Sequence, residues 1–233
     1  MRSGNPALNE KAFLNLEGSS DNRMTLMGTV HKTGILLVLI VLTAGFTWSK
    51  TMGGDFAGAA PFALGGLIGG LVFAFTTIFK KEWAPVTAPL YAAFEGLFLG
   101  AVSAIFEISY PGIVMQAVAL TFGTLMMLLL AYRSGLIKAT ENFKLGIVAA
   151  TGGIFLVYIV SMVLSLFGTG IPYIHEGGLI GIGFSLFVVV IAALNLVLDF
   201  DFIENGAESG APKYMEWYGA FGLMVTLVWL YIE

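Results

Sequence analysis

Seven apolar blocks, each about 20 residues long, run through the chain with short polar connections between them. They fall at about 33–49, 57–79, 86–106, 112–132, 145–167, 177–198 and 214–232. Within each block the apolar positions are continuous. They show neither the one-sided stripe of a soluble helix nor the strict alternation of a barrel strand. A block of this length spans the hydrocarbon core as a helix, and lipid selects helices because they satisfy every backbone N–H and C=O internally. The pattern therefore predicts an all-α, polytopic membrane protein built as a seven-transmembrane-helix bundle. Residues 25–233 form the transmembrane domain behind a polar tail, residues 1–24. The first helix is expected to start as early as Thr25, with a wet extension that carries His31 and Lys32. No apolar run begins in the tail, so it does not read as a signal peptide.

Prolines and aromatics support these boundaries. Pro61, Pro85, Pro89, Pro111, Pro172 and Pro212 lie outside the blocks or close to their beginnings, where a missing N–H is tolerated. Trp48, Trp83, Trp217 and Trp229 sit near block ends, as do Tyr110, Tyr132, Tyr173 and Tyr231, in the manner of an interfacial belt. Basic residues set the expected orientation. Arg2, Lys11, Arg23, Lys32, Lys80, Lys81, Arg133, Lys138, Lys144 and Lys213 share one side of a seven-span topology, and only Lys50 falls on the other. The positive-inside rule then puts the N-terminus in the cytoplasm and the C-terminus outside.

Composition narrows the function classes. Only 11% of residues are charged, against about 25% in a soluble domain. There is no cysteine, which removes thiolate nucleophiles, disulfides, Cys-type zinc sites and iron–sulfur clusters. No basic run suits nucleic acid. The two histidines, His31 and His175, fall on opposite sides, and no HExxH, GxSxG or GxGD-type arrangement is present. An enzyme is not expected, and neither is a resident cofactor.

Small residues mark where helices touch. Gly65, Gly66, Gly69 and Gly70 form two overlapping small-xxx-small pairs in the second block, and Gly96 and Gly100 a third in the next. Such spacing lets backbones approach closely in lipid. Acids inside the bilayer are expensive and usually face a cavity or a partner. Three are hard to place in loops: Glu95 in the third block, Asp199 at the end of the sixth, and Glu216 just inside the seventh. The orientation brings all three toward the cytoplasmic side. Two of them meeting in a dehydrated site would share a proton and titrate together. The plainer reading makes Asp199 and Asp201 solvated helix-end residues followed by an acidic loop with Glu204 and Glu208. It makes Glu216 a first-turn acid favoured by the helix dipole.

These residues also carry a family likeness. Asn5-Pro6-Ala7-Leu8-Asn9-Glu10-Lys11-Ala12-Phe13, Met24-Thr25-Leu26-Met27-Gly28-Thr29-Val30-His31-Lys32-Thr33 and the Glu95-Gly96 step resemble the Bax inhibitor-1-like membrane proteins (the transmembrane Bax inhibitor motif family), in particular a bacterial branch. The resemblance implies a seven-helix fold and a pH-sensitive calcium leak in a bacterial plasma (inner) membrane. It also implies a carboxylate pair near the cytoplasmic mouth. Asp199-Phe200-Asp201-Phe202-Ile203 and Tyr214-Met215-Glu216-Trp217 are similar to the segments that carry that pair. Asp199 and Glu216 are then the expected sensor and a site for a transient calcium ion. Asp201 is the alternative first member, and Glu95 lines or supports the path. Lys80 and Lys81 resemble a basic cluster and are the expected cationic lock, where lysine lacks the planar, bidentate grip of arginine. The alternative function is a regulatory protein that binds another membrane protein, such as a quality-control protease, through the polar tail.

Overall fold

The computed structural model describes residues 22–168 and 178–233. The tail up to position 21, with the Asn5–Phe13 motif, and Pro172, Tyr173 and His175 lie outside the described residues. Seven long helices follow in order: α1 Leu26–Met52, α2 Phe56–Phe79, α3 Ala84–Ser109, α4 Ile113–Arg133, α5 Glu141–Leu166, α6 Leu179–Glu208 and α7 Met215–Ile232. A 3-10 turn, Lys81–Trp83, leads into α3. All seven are long and apolar enough to cross a membrane. The chain is a multi-pass membrane protein.

Local chemistry explains the boundaries. Thr25 caps α1 by accepting from the Gly28 N–H at 3.0 Å, and Asp55 caps α2 through Gly58 N–H at 2.9 Å. Each satisfies a donor that the first turn of a helix leaves open. The first helix thus begins where the polar extension was expected. Pro61 and Pro89 stand inside α2 and α3, in the second turn of each. Gly112, at φ +90°, adopts the left-handed backbone that lets α3 turn directly into α4.

Helix α6 departs from expectation. It does not stop at Asp199 but continues to Glu208. Asp201 and Glu204 are therefore helical rather than members of an acidic loop, and both are engaged. Lys144 of α5 lies 2.8 Å from Asp201, and the Tyr132 hydroxyl of α4 donates to Glu204. Those contacts give the acids partners that a solvated loop would not supply.

The packing is arranged around α7, two thirds of whose apolar window is buried, against 6% for α4. Tyr91 of α3 meets Phe221 edge-on at 5.0 Å between centroids, within the core that α1, α3, α6 and α7 share. Helix α3 lies close against α1 and α2. A Cβ on Gly96 would come 2.5 Å from the Ile40 carbonyl, and one on Gly100 would run into the Ala44 carbonyl. A Cβ on Gly66 would sit 2.6 Å from the Phe94 carbonyl. Gly69 and Gly70 likewise face Phe94 and Glu95, whereas a Cβ on Gly65 meets nothing within 4 Å. The close approach thus uses Gly66, Gly69 and Gly70, and the spacing that grouped Gly65 with them does not make it an interface residue. Helix α5 is peripheral and packs chiefly on α6.

Candidate functional site

The site begins with a strap. Residues 22–25 lie along the α6–α7 connection: the Met24 N–H donates to the Ala211 carbonyl at 2.6 Å, and the Lys213 N–H to the Asn22 carbonyl at 2.9 Å. Arg23 and Pro212 pair as an isolated antiparallel bridge, and Met24 is buried. This fixes the start of α1 against the start of α7.

Glu216 fills the junction. It lies in the first turn of α7, yet it is only 1% exposed. Its Oε1 accepts from the Thr25 N–H at 3.0 Å and from the Thr25 hydroxyl at 2.9 Å. Its Oε2 accepts from the Lys32 ammonium. That ammonium also stands 5.6 Å from the centre of the Trp217 ring. A buried carboxylate is tolerable only when its lone pairs and charge are met, and here one cation and two local donors meet them. Gly28 makes room, since a Cβ there would collide with the Glu216 carboxylate. Thr25, Gly28 and Lys32 recur at spacings of three and four, which places them on one face of α1.

Asp199 lies on the neighbouring α6 and is fully buried. It is not a solvated helix end. One turn earlier, Asn195 is also buried and bonds to Thr151 of α5 at 2.9 Å. Asp201 belongs to a second ion pair, with a Lys144 that is itself buried and that also reaches Glu141 at 3.4 Å. Glu95 is half-buried in α3 and turned toward α2, close to where a Cβ on Gly70 would be. Among the described residues, no three acidic or histidine side chains converge as a metal cage.

Lys80 is exposed at the end of α2, and the Lys81 ammonium stands 5.8 Å from the Tyr218 ring centre. Lys32 is the cation that holds Glu216. At the edge of this site Tyr214 precedes α7, and burial, reinforced by the Glu82 charge, pushes its phenol above the ordinary value. The sequence places Lys32 on a wet extension of the first helix. The signal that could have found it is the Thr25, Gly28, Lys32 spacing within a motif already singled out.

A multi-helix membrane bundle whose first and last helices are joined by a buried ion pair is the class that fold and site define. The profile of the family described as Bax inhibitor 1 like matches residues 5–233, and the chain belongs to that family. No curated protein and no solved structure matches it significantly.

Proposed function

We propose that this protein is a pH-sensitive cation leak, with calcium the leading cation, in a bacterial plasma membrane with its N-terminus in the cytoplasm. The observation that carries the reading is the burial of two carboxyl side chains, Asp199 and Glu216, on the adjacent helices α6 and α7. Buried acids in a bilayer mark ion and proton pathways. Glu216 also couples protonation to structure. Ionised, it accepts from Thr25 and Lys32 and clamps α1 to α7. Protonated, it loses the charge that Lys32 answers and one acceptor position becomes a donor. Release of that clamp opens the end of the bundle where the basic residues cluster. Asp199 or, through Lys144, Asp201 supplies the second carboxylate of the sensor, and Glu95 supports the path from α3. A calcium ion, which takes oxygen ligands from carboxylates and water, passes between these acids rather than residing there.

The test is calcium entry into dye-loaded proteoliposomes from about pH 5 to 8, the range that buried carboxyl groups can reach. Flux that varies with pH in the wild type and loses that variation in Asp199→Asn/Glu216→Gln supports the reading. An unchanged pH profile in the double variant overturns the sensor.

The strap favours a second, regulatory reading. Residues 22–25 lie beside Glu216, so a membrane protein that grips the chain ahead of them, such as a quality-control protease, pulls on the same clamp. Deleting residues 1–20 should abolish co-purification with such a partner and leave flux intact. Capture that survives the deletion removes the tail as the contact.

A further inference from the structure

Helix α5 carries a polar stripe that Asp199 and Glu216 do not explain. Lys144, Thr151 and Tyr158 recur at intervals of seven, which keeps them on one face of the helix and spreads them over about 21 Å along its axis. Each engages a neighbouring helix. Lys144 pairs with Asp201, Thr151 accepts from Asn195, and the Tyr158 hydroxyl donates to Glu233 just after α7. Between them on the same face lie the buried apolar residues Ile147 and Ile154. The three contacts join α5 to its neighbours, as polar side chains between helices in lipid commonly do, and the outer two involve ionisable groups, which in a membrane also mark ion and proton pathways.

The middle contact is incomplete. Asn195 is 1% exposed, and its Nδ2 donates both to Thr151 Oγ1 at 2.9 Å and to the Ile191 carbonyl at 2.8 Å. A carbonyl only accepts, so the Ile191 contact fixes the amide orientation and turns Oδ1 away from it. Oδ1 has no hydrogen-bond partner among the described residues. An amide oxygen left unsatisfied in a dry interior is penalised, so a native structure that keeps one normally gives it a partner, a water or an ion. The residue stands at a seam. Ala192 and Leu196 beside it belong to the large core around α7, while Ile191 belongs to a separate cluster with Ile154 and Val188. Asp199 lies one helical turn further on, on the same face of α6.

We propose that Asn195 Oδ1 and Thr151 Oγ1 form a station for a partly hydrated cation between α5 and α6, one helical turn inside the bundle from Asp199, on a route that the Asp199 end of α6 feeds. Neutral oxygens suit this position. They replace part of a hydration shell without holding the ion so tightly that it cannot leave. The proposal rests on the cation-leak reading and specifies where the ion crosses.

The experiment is flux through proteoliposomes of the full chain, with calcium and potassium measured separately. Asn195→Leu and Thr151→Val should each lower calcium flux about tenfold, the scale set by losing one buried polar contact. Asn195→Asp should shift the calcium-to-potassium ratio toward calcium, a change that an amide serving only to join two helices would not produce. Should Asn195→Leu fail to fold, the Thr151→Val flux and the Asn195→Asp ratio decide the matter. Wild-type flux that is pH-dependent, with every variant conducting at the wild-type level and ratio, overturns the station alone and leaves Asn195 holding a structural water. No flux from the wild-type chain overturns both the station and the leak.

Discussion

Lys32 of α1 and Glu216 of α7 form an ion pair between residues 184 positions apart in sequence, and the carboxylate is the more deeply buried partner, 1% exposed against 17%. The asymmetry predicts unequal consequences for removing each side. Lys32→Met leaves a buried carboxylate without its cation and should destabilise the bundle by about 3–5 kcal/mol. Glu216→Gln leaves a lysine that can reach water along its stem, so it should destabilise less. The double variant should recover much of the loss, since neither charge is then stranded. Thermal unfolding of the four proteins in detergent checks this. Equal destabilisation by all three variants would remove the ion pair as the source.

A second pair should behave as an independent clasp. Asp201→Asn leaves the buried Lys144 with only Glu141, at 3.4 Å, and should loosen α5 from α6. Exchanging the charges, Lys144→Asp with Asp201→Lys, should restore part of the stability. Protease accessibility of the α4–α5 connection reads the loosening directly. No rescue by the exchange would mean that packing, rather than charge, holds α5.

The glycines separate by direction. Gly100→Val places a side chain against the Ala44 backbone and should destabilise by about 1–3 kcal/mol through overpacking. Gly65→Ala meets open surroundings and should be neutral, or stabilising by up to about 1 kcal/mol through helix propensity. Chemical denaturation in detergent distinguishes the two. A destabilised Gly65→Ala would place a neighbour there.

The α1–α2 connection has its own pH dependence. The hydrogen bond from Lys50 to Asp55, together with the Gly58 N–H and the Lys50 charge, holds the Asp55 carboxyl below its ordinary value of 3.8. A depressed folded-state pKa contributes stability that is fully present above the ordinary value and lost as pH falls through the lower one. Between pH 5 and 2 the wild type should therefore lose stability slightly more steeply than Asp55→Asn, with the effect small because Asp55 is exposed. Melting curves across that interval, identical in slope for both proteins, would assign the N-cap alone to Asp55.

The fold was legible because lipid makes the rule simple: each span must be apolar and helical, block length alone delivers five of the seven helices to within about four residues, and the extension expected from Thr25 supplies the start of α1. The exception is instructive. Helix α6 continues past Asp199 because Asp201 and Glu204 find Lys144 and Tyr132 on other helices, and no local pattern announces lateral partners. The burial of Glu216 and Asp199 was unreadable for the same reason. Sequence puts an acid at a depth in the membrane, but not on a face toward a neighbour. Lys32 shows the limit most clearly. The sequence puts it on the first helix, whereas the family resemblance points to Lys80 and Lys81 as the basic cluster. What chose Lys32 was the strap of residues 22–25, a contact between distant segments of backbone.

That strap has a consequence for biosynthesis. The chain emerges from the ribosome with α1 first and α7 last, so Lys32 enters the membrane long before its carboxylate exists. Every nascent chain short of Glu216 carries an unanswered ammonium on α1 and an unfilled notch at Gly28. A chain that lacks α7 therefore leaves Lys32 without the carboxylate that holds it in the folded bundle.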